Sequence, residues 1–487
     1  MNPYLAVKAL SNDEIERIHT AMVSILSQTG VAVEHEGIRD AYARYGAQIG
    51  GTSQRVLFSE SVIDRFIKET EAYAVKIPPS DQDQAYPREC YRALCSADGK
   101  PSLWVRSDIS LSSYLDPYTR QVVPFTEKLL IGYLKLARAL DNGINIRIDC
   151  LPFEDPGQII DLETRLFAWK HGIQETGIIL NKEACPYLLE MYQIKADTLG
   201  VSLSDIFCGC VYLVSPLRIT KDICEKILFF HNHGLKLRIG NYIMMGGTGP
   251  ITLAGSLALN LAERVAIGIL ERSLYGSKHW VIYGEIIPLD MMDLTTQLHG
   301  PELLLANLSV IQLASYYGVS AHPFGGYTNA KDSSTEAGMQ KLLTALPCIL
   351  AGGCNIDAGL LGDSICSPIQ MILDSELISA LRRVLRGFIV SDDTLGIELI
   401  NEVGPGGTFT DTNHTVQYLR SEIWQPGIWN RETHQSWLAG DRKTDIERAF
   451  DFWIELMGRP ESEPSISEEM EENLGAVIDQ AARTYSL

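Results

Sequence analysis

Residues 235–286 read LKLRIGNYIMMGGTGPITLAGSLALNLAERVAIGILERSLYGSKHWVIYGEI. Two short apolar, β-branched runs, Leu235–Met244 and Trp280–Ile286, enclose a long helical stretch from Ile251 to Tyr275. Near-continuous apolar strands of this kind are buried on both faces, and that is the situation of a parallel sheet covered by helices. The helical stretch carries Asn260, Glu263 and Arg264. Those residues suit a buried core helix better than a membrane span.

Working outward, the same rhythm repeats. Strand-like runs fall at Asn145–Cys150, Gly177–Leu180, Ile206–Val214, Val319–Phe324 and Asn355–Leu360. Helical patterns lie between and after them at Asp161–His171, Lys182–Leu199, Lys221–Asn232, Pro301–Tyr317, Ser333–Leu346 and Pro368–Leu385. So many strand–helix units predict a TIM (β/α)8 barrel rather than an open sheet. The eighth strand is expected near Gly407-Thr408-Phe409.

Residues 1–124 read as an N-terminal α/β appendage. In it Ser11 and Glu14 form a capping box, Gly30 ends the first helix, Val31–Val33 and Arg55–Phe58 are strands, and Ser59 opens a second helix. The barrel is expected over 125–457. Residues 458–487 give an acidic linker and a terminal helix capped by Ser465 and Glu468.

The totals bound the function. A chain of 487 residues can bury one large core with a smaller unit attached. Its net charge of −20 repels nucleic-acid phosphates and anionic lipid, so neither is expected as a partner. Met1-Asn2-Pro3-Tyr4 is no secretory signal, and ten scattered cysteines read as reduced core thiols, so the cytoplasm is expected. Cys208-Gly209-Cys210, and Cys348 with Cys354, lack zinc-site spacing and no HExxH occurs, so no metal of the chain's own is expected. His231 and His233 sit at a helix C-terminus, where they satisfy terminal carbonyls.

In a barrel the chemistry lies at the C-terminal ends of the strands. One end carries Gly246-Gly247-Thr248-Gly249-Pro250, with Pro250 suited to the first helical position. Such a helix start could bind an anion through its free N–H groups, or be no more than a tight turn. The next ends carry Tyr283-Gly284-Glu285 and His322-Pro323-Phe324-Gly325-Gly326-Tyr327. Aromatic faces with one carboxylate suit a cation that has no N–H donors. Tyr283 and Phe324 could equally be core residues, and His322 either a ligand contact or a structural hydrogen-bonding group.

Several runs resemble one family. Met245–Leu259 is similar to the "GGxTGPVTLAGALAL" signature of the trimethylamine methyltransferase superfamily. Gly326–Asp332, Leu381–Gly387, Val403–Phe409 with His414-Thr415, and Leu419–Trp424 are similar to further parts of it, and Ile25–Val31 resembles its "ILxxTGV" helix end. The resemblance implies a barrel enzyme that moves a methyl group from an amine to the corrinoid (cobalamin) of a cognate corrinoid protein. Founding members carry pyrrolysine, whereas every position here is a standard residue. The non-pyrrolysine branch implies a quaternary amine, glycine betaine first, with carnitine, proline betaine and γ-butyrobetaine as rivals.

On this reading Glu285 and His322 are the catalytic candidates. Arg238, Tyr242, Gly246, Gly247, Thr248, Tyr283, Phe324, Tyr327, Phe409 and His414 are the substrate-binding candidates, with Arg238 or the glycine turn holding a carboxylate. The corrinoid protein is expected on the C-terminal face, near Phe409–Trp437, and a homo-oligomer is expected. A barrel lyase using Glu285 and His322 as acid and base, or a betaine-binding homologue without turnover, are the readings from other classes.

Overall fold

The computed structural model describes residues 8–50, 54–74, 103–110, 112–140, 143–154, 157–351, 355–459 and 464–485. Met1–Tyr4, Cys354 and residues 460–463 of the expected linker lie outside the described residues.

The molecule is a mixed α/β protein whose parallel strands pair in a cycle. Trp104–Ile109 pairs with Asn145–Ile148, which pairs with Gln174–Glu175. Ile178, just beyond, bridges to Cys210 of the strand Cys210–Tyr212. That strand pairs with Arg238–Gly240, whose continuation Ile243–Met245 pairs with Ile286–Pro288. The preceding piece, Val281–Tyr283, pairs with Ser320–His322. Gly325 bridges to Ile356, and Asn355–Asp357 pairs back onto Trp104. Eight strand positions therefore close on themselves.

A helix follows each of them. In order these are Glu127–Ala139, Ile160–Lys170, Cys185–Leu199, Lys221–Asn232, Leu253–Tyr275, Pro301–Tyr316, Thr335–Leu350 and Pro368–Arg386. Seven of the strand positions and seven of the helices fall where the apolar rhythm places them. The eighth strand does not. Gly407–Phe409 is exposed loop, and the place expected for it is held by Trp104–Ile109, from the segment read as an appendage. Its sequence WVRSDI hides it, because two charges interrupt the apolar run.

Alternation explains those charges. Val105 and Ile109 face the helices and are buried, and Ser107 Oγ lies 3.2 Å from the Tyr133 hydroxyl of the first of those helices. Arg106, Asp108 and Ser110 point the other way, into the ring. The same holds on the next strand for Ile146 and Ile148 against Arg147 and Asp149.

The long apolar helix Leu253–Tyr275 is a core element. Its buried polar residues Asn260, Glu263 and Arg264 are bonded within the fold. Glu263 accepts from Ser215, Leu217 N and Asn241, while Arg264 donates to the carbonyls of Ile239 and Val281 and so ties two strands together.

The expected Ser11–Glu14 box and the Gly30 stop are present, Gly30 at φ +66°. Val31–Val33 pairs with Arg55–Leu57 and also with Arg218–Ile219, which fastens the N-terminal unit to the ring. The terminal helix Glu468–Tyr485 packs on Cys185–Leu199 and Ile160–Lys170. It is capped by Ser467, whose hydroxyl accepts from Met470 N, and not by Ser465, whose own N–H is taken by the Lys170 carbonyl.

Candidate active site

A cavity of about 530 Å³ occupies the C-terminal half of the ring. Every strand position but the last lines it with inward-facing residues: Arg106, Asp108 and Ser110, then Arg147 and Asp149, then Thr176 and Ile178. Cys210 and Tyr212, Arg238 and Tyr242, Tyr283 and Glu285, and His322 with Phe324 complete that series. The cavity wall has two sides.

One side is aromatic. Tyr212, Tyr242, Tyr283 and Phe324 surround Glu285 and His322. Gly240 lets Tyr212 lie flat against the neighbouring strand, since a Cβ there would come within 2.6 Å of its ring. The Tyr212 hydroxyl is 3.4 Å from Glu285 Oε1. Glu285 Oε2 is buried and has no hydrogen-bond partner among the described residues. Burial pushes this carboxyl up to about 7, against the pull of Arg106, Arg264, Tyr212 and Arg147.

His322 stands in a ring of aromatics, with centroids 5.2 Å from Tyr283, 5.7 Å from Phe324 and 6.1 Å from Trp104. Burial, and then the charges of Arg106, Arg147 and Arg238, push its imidazole far below the usual range. It is a neutral imidazole at neutral pH and has no proton to give as a cation.

The other side is charged. Asp108 takes both prongs of Arg147, at 2.7 and 2.9 Å, and lies 3.4 Å from Arg106 Nε. Arg106 also reaches Asp357 at 3.7 Å and the Tyr327 hydroxyl at 3.4 Å, with Phe324 under its guanidinium at 5.0 Å. Burial pushes the Asp108 carboxyl up, but Arg106, Arg147 and the Arg147 hydrogen bond outweigh it and hold it charged. Burial, and then the Asp108 charge, push Asp357 up to about 7, against the pull of Arg106, Lys341 and the Tyr327 hydroxyl. Asp149 is pushed up to about 6, by burial first and by Asp108 next.

Seven expected residues thus come together: Arg238, Tyr242, Tyr283, Glu285, His322, Phe324 and Tyr327. The other five do not line the cavity. Gly246, Gly247 and Thr248 form a tight turn in which Thr248 Oγ1 and the Met244 carbonyl are spent on backbone N–H groups. Pro250 is not at the first helical position either, because the helix starts three residues later, at Leu253. Met245 bridges to Gly249 and so prolongs the strand segment into the turn. Phe409 and His414 lie on an exposed C-terminal segment, where His414 packs against Tyr418 with ring centroids 4.6 Å apart and the rings tilted by 49°. Trp424 packs on Trp429 and donates to Ser379. His233 Nδ1 lies 2.8 Å from the Phe229 carbonyl, in the end-of-helix role expected for it.

The residues that pattern reading misses are Arg106, Asp108, Arg147, Asp149 and Tyr212. The four charged ones carry a signal, charges two apart inside strand-like runs, R-S-D and R-I-D, which mark an inward wall. Among the described residues no group of three or more His, Cys, Asp or Glu is placed to hold a metal ion.

Residues 1–81 and 175–486 match the family model for "Trimethylamine methyltransferase (MTTB)". The chain belongs to that family. It is therefore a methyltransferase-family enzyme. It is 23% identical over 485 residues to a trimethylamine methyltransferase MttB of Desulfitobacterium hafniense strain DSM 10664 / DCB-2, covering 98% of this chain and 94% of the relative. It is equally 23% identical over 484 residues to a glycine betaine methyltransferase of Desulfitobacterium hafniense strain Y51, covering 97% of each. A Methanosarcina thermophila MttB is 29% identical over 449 residues, 89% of each chain. Among solved structures, the Methanosarcina barkeri monomethylamine methyltransferase (MtmB) aligns with a TM-score of 0.43 and 9% identity, over 96% of this chain and 92% of that one.

Proposed function

We propose that this protein transfers a methyl group from a quaternary amine, glycine betaine favoured, to the corrinoid of a cognate corrinoid protein, releasing a tertiary amine. The closed cycle of strands we read as a (β/α)8 TIM barrel, running from Trp104 through the helix that ends at Arg386. The observation that carries the substrate reading is Glu285 Oε2: a buried carboxylate oxygen without a hydrogen-bond partner among the described residues, set among Tyr212, Tyr242 and Tyr283. A quaternary ammonium offers no N–H, so aromatic faces and one negative charge are what can hold it. The volume of about 530 Å³ is in the usual range for a small-molecule site and leaves room for longer betaines.

The chain's residues then have four tasks. The aromatic side binds the ammonium and excludes water. Glu285 balances its charge. The walls orient one methyl toward the open end. The departing group is a neutral tertiary amine, so no acid is needed, which agrees with a neutral His322.

A reduced corrinoid, when brought by its carrier, would supply the methyl acceptor. The cavity mouth fits such a visitor, because apolar side chains stand exposed on the loops after successive strands: Leu180, Val214, Ile251, Met291, Met292 and Leu294. That rim, rather than the Phe409–Trp437 segment, is our choice for the carrier's docking face. The latter belongs to a stretch, Arg386–Arg448, in which no residue is buried although four helices form. Phe388, Ile389 and Val416 are each about three-quarters exposed there. We assign this stretch to contacts between copies in a homo-oligomer.

The test is product analysis. The protein, glycine betaine or trimethylamine, and a reduced corrinoid protein are incubated, and dimethylglycine and dimethylamine are measured. Dimethylglycine formed only with the corrinoid present is the expected result. Turnover of trimethylamine alone, or turnover without any corrinoid, overturns the proposal.

A further inference from the structure

The charged side of the cavity holds three arginines, and their hydrogen bonds separate their tasks. Arg106 is fully enclosed, held by Asp108, Asp357, Tyr327 and the Phe324 ring. Arg238 directs Nη2 along the wall, 2.5 Å from the Thr176 carbonyl and 3.6 Å from Cys208 Sγ. Arg147 differs. Its Nε and Nη2 are clamped by the two oxygens of Asp108, and the Trp104 ring lies 5.4 Å beneath its guanidinium carbon.

A guanidinium has five N–H donors in a rigid plane. Clamping the Nε–Nη2 edge fixes that plane and leaves Nη1 on the cavity wall with no hydrogen-bond partner among the described residues. Such a fork matches a carboxylate in geometry and charge, which a point-like ammonium does not.

Resting on the quaternary-amine reading of this cavity, we propose that Arg147 anchors the substrate's carboxylate, with Asp108 as its positioning residue. The cavity is thereby selective for a zwitterionic trialkylammonium carboxylate over a plain tetraalkylammonium ion. This moves the anchor from Arg238, where strand position alone puts it, to a residue three strand positions earlier in the ring.

The neighbourhood gives the proposal a second readout. Asp149 lies on the same inward face as Arg147, two residues on, and lines the same cavity. It is faced by Asp108 and Arg106 from the first strand, by Arg147 on its own strand and by Thr176 from the third. With its carboxyl pushed up to about 6, Asp149 is neutral in acid and charged above. A carboxylate docked on Arg147 therefore meets an added repulsion as the pH rises through about 6. Tetramethylammonium, lacking a carboxylate, meets none.

The experiment measures binding of glycine betaine and of tetramethylammonium to the full chain by titration calorimetry, in the wild type, Arg147→Met and Arg147→Lys. Arg147→Met is expected to weaken betaine binding about tenfold to a hundredfold, as for loss of a charge-assisted pair, and to leave tetramethylammonium within about twofold. Arg147→Lys, which keeps the charge without the fork, should recover only part of the betaine loss and keeps the test decisive if the Met variant does not fold. Equal losses for both ligands, or no loss for betaine, overturn the anchor while leaving the cation site standing. A wild type that binds neither ligand removes the quaternary-amine reading and the anchor together.

Discussion

Replacing Glu285 by Gln keeps the shape of the aromatic wall and removes its charge. A carboxylate about 5 Å from a bound ammonium, at an effective dielectric near 20, is worth about 3 kcal/mol. At about 1.4 kcal/mol per decade that is a hundredfold, and the amide dipole of Gln returns some of it, so a loss of about 10- to 100-fold is expected at pH 8. The pH profile makes the argument sharper. Glu285 is pushed up to about 7. The fraction ionised then rises about tenfold between pH 6 and pH 8, and wild-type affinity for tetramethylammonium should follow it, whereas Glu285→Gln should be flat. Stability should move the opposite way. The folded-state value lies above the ordinary 4.5, so the folded protein holds the proton longer and loses stability as the pH rises from about 4.5 to about 7. The amide escapes that cost, so Glu285→Gln should be more stable than wild type at pH 8, by about 1–3 kcal/mol, and equal to it near pH 4. Calorimetric titration and urea unfolding at both pH values read the two effects. Affinity for tetramethylammonium that is unchanged in the variant, or wild-type affinity that does not vary between pH 6 and 8, would refute the reasoning.

Other perturbations test the supports of the site. Lys341 Nζ is buried against Asp374 at 2.9 Å and the Gly326 carbonyl at 2.8 Å, so Lys341→Met leaves a buried carboxylate uncompensated. A loss of about 3–5 kcal/mol is expected from urea unfolding, and a loss below about 1 kcal/mol contradicts the buried pair. Gly240→Ala puts a methyl within 2.6 Å of the Tyr212 ring and should weaken tetramethylammonium binding about tenfold while the fold persists. Normal binding in that variant would mean that the Tyr212 face is not part of the cage. Finally, Ile389→Lys with Val416→Lys should lower the mass seen by light scattering if the Arg386–Arg448 stretch joins copies; an unchanged mass removes that assignment.

Most of the architecture was legible because burial on both faces leaves a plain mark. The runs around Arg238–Gly240 and Val281–Tyr283 are apolar almost throughout, and the helix between them is mostly apolar, with Asn260, Glu263 and Arg264 in its middle finding internal partners. Pro301–Tyr316 and Lys221–Asn232 begin where Pro301 and Thr220 say they should, the latter through its hydroxyl on Ile223 N. What failed was the strand Trp104–Ile109, for the reason that makes it important. A strand that gives two charged side chains to a cavity no longer looks like a buried strand, whereas Gly407–Phe409, an exposed loop, imitates one only through a single aromatic beside glycines.

The same physics divides the site. Aromatic residues and a lone carboxylate at strand ends stand out against an apolar background, so Tyr283, Glu285, His322 and Phe324 could be named from their positions alone. The charged wall could not, because a charge in a sequence is ordinarily a solvated surface group, and only the ring geometry turns Arg106, Asp108, Arg147 and Asp149 inward. The glycine turn misled in the other direction. Gly246 does need its left-handed backbone, at φ +90°, but the reason is local: a Cβ there would meet Met291 Sδ at 2.6 Å. A signature can thus mark where backbone must pack closely and still stand beside the chemistry rather than in it. The cavity also differs from the acid–base pair that Glu285 and His322 suggest on paper. Burial, and then the charges of three arginines, keep His322 neutral, and burial holds the Glu285 carboxyl up to about 7. An aromatic wall with one unpaired carboxylate oxygen suits a permanent positive charge. Demethylation of a quaternary amine needs no acid, since its leaving group departs neutral.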